Sequence, residues 1–356
     1  MPSKNFEIAG LSVPPGERGF VRLPVTSLLT GNQLALPLHV LHGSRPGPVL
    51  GLTNAIHGSE PMSILILKET LNQIDPSLLQ GTILVLPVAN PLALARQTRL
   101  SPDEEDIDFA NLNRVFPGVR ERAVFGAGES HPTDRTLTEM IAATISQQIL
   151  PRLNYVIDFH SGPPAMAIAK MIQKKLGEEL GEITRGMCRA FGLGIIHEDE
   201  VSPHTSTGYA ATLGIASCVV EIGGIGLRSD VEARCVHLGV RGILNVMKYL
   251  KMAEGEPEIP ERQFVFAVAP HVRPTVAGYL MSQFDREDLF EGDKLGIEVS
   301  AGDPLGRVFD PYTFEELEEL CSPADGILYF TRRSGLVQAG CHAFAIADLN
   351  GARWIT

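Results

Sequence analysis

Two histidines and a glutamate have the types and settings to hold one divalent cation. His57 and Glu60 stand three residues apart in Asn54-Ala55-Ile56-His57-Gly58-Ser59-Glu60-Pro61, between an apolar β-forming run (48–52) and a helix-forming run (62–74). A tight turn at Gly58 folds the chain back, so an imidazole nitrogen and a carboxylate can face one point. His160 closes a second apolar run, Val156-Ile157-Asp158-Phe159, and offers a third ligand. Two imidazoles and a carboxylate are the set that holds catalytic zinc in thermolysin and carboxypeptidase A, with a fourth position open to water. Taken singly, His57 reads as a helix cap and His160 as a hydrogen-bonded core histidine. Their shared placement at strand ends favours a metal, because ligands and chemistry collect at the carboxyl ends of strands in open α/β sheets.

Other residue types suit the chemistry such a cation supports. Glu221 finishes an apolar strand (217–220) and runs into Gly223-Gly224, glycines that would admit a substrate. It is a candidate general base toward a water whose pKa a metal lowers to about 7; the competing reading is a glutamate paired with an arginine at a domain seam. Arg96 and Arg99 lie on a loop able to arch over the site, where a guanidinium stabilises a developing oxyanion. The plainer use of these arginines is surface pairing with Asp103, Glu104 or Asp106, and for Arg96 that use is preferred. Asn113 and Arg114, bracketed by Leu112 and Phe116, can grip a carboxylate, the arginine in bidentate fashion. His39 and His42 read as structural; His204, in the segment 202–209 ahead of the Glu221 strand, is a minor candidate for substrate contact.

The elements that must position these residues follow from periodicity. From 48 to about 252 strand and helix patterns alternate, which predicts an α/β fold, a three-layer mixed sheet with helices on both faces. Strands are expected at 48–55, 82–88, 154–160, 194–197 and 217–222. A helix over 136–149 opens with the capping-box pair Thr136 and Glu139, and one over 230–251 carries an apolar stripe through Val236, Val240, Ile243 and Met247. The polar segment 89–135 is too long for an ordinary connection and is expected to be functional or disordered. Residues 1–45 read as an N-terminal β-hairpin extension with its turn at 30–32. Residues 46–255 make the catalytic domain. A charged, Pro- and Gly-containing linker at 253–258 leads to a small C-terminal β-sandwich or barrel over 260–356, in which 314–320 fits a strand or a helical turn.

Composition removes whole classes of function. The 356 residues carry a formal charge of −12, with 44% apolar and 20% charged residues. That balance argues against nucleic-acid or anionic-membrane partners, which require clustered Lys and Arg. The N-terminus has no apolar core of a signal peptide, and no window approaches the apolar length of a membrane span. Five scattered cysteines without a C-x-x-C pair fit reduced thiols in a cytoplasmic protein. No G-x-S-x-G elbow, phosphate loop or G-x-G-x-x-G fingerprint is present.

Five motifs in order, His57-Gly58-Ser59-Glu60, Asn90-Pro91 with Arg99, Asn111-Leu112-Asn113-Arg114-Val115-Phe116-Pro117-Gly118, Asp158-Phe159-His160 and Val220-Glu221-Ile222-Gly223, resemble the succinylglutamate desuccinylase/aspartoacylase family, the small-molecule branch of the zinc carboxypeptidase-like proteins. The resemblance spans roughly 48–250. It implies a zinc-dependent amidohydrolase, one Zn2+ per chain, that removes an acyl group from a small N-acylated amino acid. It further implies His57, Glu60 and His160 as ligands and Glu221 as base. Arg99 would face the oxyanion, with Asn113 and Arg114 as the carboxylate clamp and a C-terminal domain narrowing the mouth. Two departures matter. Asn111 stands where the family often has Asp, so support for a histidine ligand is expected to be weaker or to come from elsewhere, and the insert 101–110 lengthens the spacing from the arginine to Asn113-Arg114. Rival readings are a carboxypeptidase of short peptides and a catalytically silent ligand-binding homologue. A homo-oligomer is compatible with the β-rich ends.

Overall fold

In the computed structural model, residues 4–102, 107–118, 135–200, 202–292 and 295–356 are described. Asp103, Glu104 and Asp106, set against the arginines above, fall outside them, as does most of the second half of the segment 89–135. Short strands β1 (Phe6–Ile8) and β2 (Leu11–Val13) pair with each other and lead into a hairpin, β3 (Glu17–Ser27) and β4 (Gln33–His42). The expected turn at 30–32 sits between β3 and β4. In β4 the residues Leu34, Leu36, Leu38 and Val40 are buried, the period of two that puts alternate side chains on one face. β4 continues into the main sheet by pairing with a later strand rather than standing apart.

Next come β5 (Arg45–Asn54), α1 (Ser63–Gln73), β6 (Gln80–Leu86), α2 (Pro91–Arg96), α3 (Leu137–Thr144) and β7 (Tyr155–Gly162). α3 opens on the expected reciprocal cap, Thr136 accepting from the Glu139 N–H and Glu139 from the Thr136 N–H, and then widens into a π turn over Ile145–Ile149. β8 (Met166–Lys174), α4 (Glu178–Phe191), β9 (Ile195–Asp199), α5 (Ser206–Thr212), β10 (Ala216–Gly224) and α6 (Ser229–Tyr249) follow. The strands β6, β5, β7 and β10 lie side by side and all run parallel. Their apolar residues are buried on both faces, as parallel sheets require. Residues of α1, α4 and α6 share one apolar cluster, while α3 and α5 belong to a second with the hairpin. This is the three-layer α/β arrangement.

The tail contributes β11 (Gln263–Phe266), β12 (His271–Val272), β13 (Gly278–Ser282), β14 (Ile297–Val299), β15 (Pro304–Phe309), β16 (Glu316–Cys321), β17 (Gly326–Arg332), β18 (Gly335–Val337), β19 (Phe344–Asp348) and β20 (Arg353–Ile355). The ambiguous stretch 314–320 resolves as strand β16. Four tail strands form a sheet in the order β16-β15-β13-β18, and the others extend the main sheet. That sheet has 14 strands among the described residues, along β12-β19-β17-β8-β10-β7-β5-β6-β4-β3 with β9, β11, β14 and β20 branching from it. The branch point is β8. Its residues Met166 to Ile168 pair with β17, whereas Met171 to Lys174 pair on the same edge with β9.

Four elements of the catalytic half, α2, β8, α4 and α5, are missing from the sequence expectations. β8 is hidden because neither face alternates with polar residues: Ala167, Ala169 and Met171 are buried on one face, and Met166, Ile168 and Ile172 on the other are interrupted by Lys170 and Lys174. Among the described residues no helix is long and apolar enough to cross a membrane. All five cysteines are free, and Cys188, Cys218 and Cys235 are buried core residues.

Candidate active site

The parallel strands β5, β7 and β10 end together, and their register fixes what meets there. Glu221 lies opposite His160 across the β10–β7 pair, so the two side chains emerge side by side on one face. β5 ends at Asn54, after which Ala55 takes a left-handed φ of 52° and swings the chain back. Gly58 is required at the next bend: a Cβ there would lie 2.0 Å from the Ala93 carbonyl carbon, because α2 crosses directly above. α2 is itself pinned, with the Asn90 side chain accepting from the Ala93 N–H at 3.1 Å and Pro91 starting the helix. The Ser59 N–H donates to the Thr98 carbonyl at 3.0 Å. The loop bearing Arg99 is thereby tied to the loop bearing His57.

His57, Glu60 and His160 come together, all buried, with their ligand atoms within 4.8 Å of one another. His57 Nδ1 lies 3.0 Å from Glu60 Oε1 and His160 Nδ1 lies 2.7 Å from Glu60 Oε2. Each ring has an acceptor at its back: Asn111 Oδ1 at 3.2 Å from His57 Nε2, and Asp158 Oδ2 at 3.4 Å from His160 Nε2. Asp158 also accepts from Thr53 Oγ1 at 2.7 Å and from Ser206 Oγ at 2.6 Å, which locks its carboxylate. An acceptor behind a ring favours a proton on Nε2, so that once the Nδ1 proton shared with Glu60 is lost the Nδ1 lone pair faces inward, the arrangement that orients histidine toward a metal. The group can therefore bind a metal ion. The support that an Asp at 111 would give comes from an amide oxygen instead. Ligand atoms around tetrahedral zinc stand about 3.3 Å apart; here the two Nδ1 atoms contact different Glu60 oxygens, and one ligand atom from each residue lies within 4.8 Å of the others.

Electrostatics match that donor set. Burial alone would raise the Glu60 carboxyl, but hydrogen bonds and charge from His160, then His57, hold it well below the usual carboxylate range. Burial would likewise depress His160, yet Asp158 and Glu60 outweigh it and raise the imidazole well above its ordinary value. His57 is pushed down by burial, against the opposing pull of Glu60. Glu221 is raised, first by burial and next by the Glu60 charge, with His160, Lys170 and Arg99 pulling the other way. Among the described residues no hydrogen bond reaches the Glu221 carboxylate.

Two cavities meet at this point. The first, of about 460 Å³, is lined by Asn113, Arg114, Lys174, Ser202, Thr205 and Thr207. The second, of about 430 Å³, is lined by Ser161, Met166, Ile168, Lys170, Tyr329 and His342. Glu60, Arg99 and Glu221 line both. Arg99 Nη1 donates to Glu60 Oε1 at 2.9 Å, whereas Arg96 ends α2 and lines neither cavity. Asn113 Oδ1 accepts from the Ser206 N–H at 2.9 Å, and Arg114 Nη1 donates to the Asn113 carbonyl at 2.7 Å. His204 is exposed and lies 3.2 Å from the Phe116 carbonyl instead of reaching the cavity. His42 is buried between Thr82 and the Lys4 carbonyl, and His39 packs on Phe20, both structural as expected.

One expectation is corrected. Gly223 and Gly224 do not open the site to substrate; a Cβ at Gly223 would strike Met62 Sδ at 2.2 Å and one at Gly224 the Met166 carbonyl oxygen at 2.3 Å, so close packing demands them. Sequence reasoning also passed over Asp158, Lys170 and Tyr329. Asp158 could have been found from its position two residues before His160 on a strand, which puts both on one face. Lys170 and Lys174 were signalled by two charges at even spacing inside an apolar run.

Residues 46–250 match the family model described as the succinylglutamate desuccinylase/aspartoacylase catalytic domain. Over 353 residues the chain is 25% identical to N-alpha-acetyl-L-2,4-diaminobutyric acid deacetylase of Halomonas elongata, covering 97% of this chain and 94% of the relative. A succinylglutamate desuccinylase/aspartoacylase from Rhodobacter sphaeroides has a similar structure, with TM-score 0.75 at 24% identity over 97% of this chain and 98% of that one. The product-bound ectoine utilization protein of Ruegeria pomeroyi gives TM-score 0.76 at 24% identity, with 98% of each chain covered. These two likenesses concern the fold. The family match covers more than half of the sequence and every strand end that converges here, and the chain belongs to the succinylglutamate desuccinylase/aspartoacylase family.

Proposed function

We propose that this protein is a zinc-dependent amidohydrolase that removes the acyl group from a small N-acylated amino acid. The observation that carries the reading is the junction itself: two inward Nδ1 atoms and a carboxylate, with the Glu221 carboxylate beside them, free of hydrogen bonds among the described residues, and a cavity on each side. His57, Glu60 and His160 would hold the zinc, which when bound supplies Lewis acidity and makes a neighbouring water acidic enough to lose a proton near neutral pH. Glu221 takes that proton on a carboxylate oxygen and returns it to the leaving nitrogen, and its raised pKa suits a group that must do both. Arg99 presents its guanidinium to the oxygen that gains charge. Asn113, through its side-chain amide, and Arg114 fix the amino-acid carboxylate in the first cavity. Support for the substrate class comes from the Halomonas relative, whose name describes deacetylation of an N-acylated amino acid. The five free cysteines suit a cytoplasmic setting.

A panel of N-acyl amino acids and dipeptides, given to the zinc-loaded protein, tests the reading. Release of free amino acid from the acyl compounds, abolished by chelation and restored by zinc, is the expected result. Cleavage of dipeptides alone would replace it with the carboxypeptidase reading. Zinc bound at one equivalent without any hydrolysis would leave a ligand-binding homologue.

A further inference from the structure

Beyond His160 and Glu221 the strands that carry them lose register and are rejoined by a residue of the tail. In the β10–β7 pair Glu221 lies opposite His160, but the next matched residues are Gly224 and Gly162, so β10 carries an extra residue between them. Such a bulge interrupts the ladder and re-aims the side chains beside it. It falls directly after the general base and the third ligand. Ser161 and Gly162, on the β7 side of the interruption, line the second cavity.

Arg286 bridges this interruption. It is 6% exposed, and its Nη1 donates both to the Pro164 carbonyl at 3.0 Å and to the Ile225 carbonyl at 2.7 Å. Nη2 donates to the Gly226 carbonyl at 2.8 Å. One nitrogen thus joins the chain leaving β7 to the chain leaving β10, four residues past His160 on one side and four past Glu221 on the other. A planar fork of fixed donors can do this, whereas a lysine ammonium is a single point charge.

The side chain is set on a firm base. Arg286 opens a 3-10 turn, Arg286–Phe290, capped reciprocally by Asp285 and Asp288 and anchored by buried Leu289 and Phe290. The tail also holds the loop after β7 by main chain, the Arg333 N–H donating to the Ala165 carbonyl at 2.9 Å. Among the described residues no carboxylate is hydrogen-bonded to the Arg286 guanidinium, and Glu287 accepts from the Arg228 N–H instead. Burial lowers the guanidinium from its ordinary value, against the Glu287 and Asp285 charges and with that of Arg333. A buried cation bonded only to main-chain carbonyls gains little from charge pairing, so its effect lies in which carbonyls it joins.

We propose that Arg286 is a positioning residue for the hydrolysis: by joining the chain beyond β7 to the chain beyond β10, it holds the Glu221 carboxylate in place beside the ligand group at His160. The assignment rests on the deacylase reading, and it gives the tail a share in the reaction geometry.

The test measures zinc-loaded proteins, with kcat expressed per bound zinc so that unfolded chains do not count. Arg286→Met is expected to lower kcat about 10- to 100-fold, the range for displacing a reacting group by about 1 Å, with KM and zinc affinity near wild type. Arg286→Lys should recover part of the loss, as should guanidinium ion added to Arg286→Ala. Arg228→Met is the control. Arg228 grips the same segment through Glu291 at 3.0 Å without bonding the three carbonyls, and its loss should leave kcat per zinc unchanged. Wild-type kcat in Arg286→Met or Arg286→Lys, or an equal loss in Arg228→Met, overturns the proposal. Hydrogen exchange reads the clamp without turnover: amides within 161–166 and 222–227 should exchange faster in Arg286→Lys than in wild type, and those of the 57–60 loop equally. Unchanged exchange at both strand ends overturns the proposal as well. A wild type that cleaves no amide would sink the deacylase reading, while faster exchange in its Arg286→Lys variant would keep the clamp.

Discussion

Asp158 holds a serine, a threonine and a histidine at once, which makes it the residue whose loss should be felt farthest from itself. Asp158→Asn is expected to weaken zinc binding by about 10- to 100-fold, the usual cost of removing a carboxylate behind a histidine ligand; titration against a zinc-selective chelator measures it. Glu221→Gln should retain zinc and lose about 10²- to 10⁴-fold in kcat, and near-normal turnover with zinc in place would remove Glu221 from the mechanism. Zinc must also displace the proton that Asp158 and Glu60 hold on His160. Because that imidazole is raised, zinc affinity should fall about tenfold per pH unit as acidity increases below its folded pKa, with proton release on binding. The convergence of His57, Glu60 and His160 was legible because each follows an apolar strand. The backs of the rings were not. Whether Asn111 and Asp158 reach them depends on distances between segments far apart in sequence.

At the level of elements, the turn after β5 is the tightest constraint. Gly58→Ala would drive a methyl group into the backbone of α2, and overpacking of this kind costs about 1–3 kcal/mol. A lower melting temperature and a displaced Arg99 loop, read as reduced kcat, are expected together; an unchanged melting temperature would contradict the close approach. The alternation of strands and helices and the capping box of α3 could be read in advance because they are local patterns. β8 could not. Buried on both faces and carrying two lysines toward the cavities, it shows neither the alternation of a half-exposed strand nor an unbroken apolar run.

Across the whole molecule, strand pairing ignores the composition change at 253–258. That segment was recognisable as a connection, but hydrogen bonds between β9 and β11 and between β8 and β17 are non-local and leave no trace in composition. The Glu198 carboxylate takes both Arg353 nitrogens at 2.7 and 3.1 Å, fastening β9 to β20, and that hydrogen bond holds its carboxyl below the ordinary value. A carboxyl depressed in the folded state stabilises above its unfolded pKa, about 4.3, and loses that contribution as pH falls through the folded value. Arg353→Met should therefore be less stable than wild type at neutral pH, with the gap closing in acid; denaturant melts at pH 7 and pH 3 decide. The divided edge of β8 has a further consequence, for biosynthesis. A ribosome delivers His57, Glu60 and His160 well before β17, so a growing polypeptide can gather its charged centre while the edge over Met166 to Ile168 is still bare. Until the last strands emerge, that row of unpaired amides and carbonyls is open to a neighbouring nascent copy.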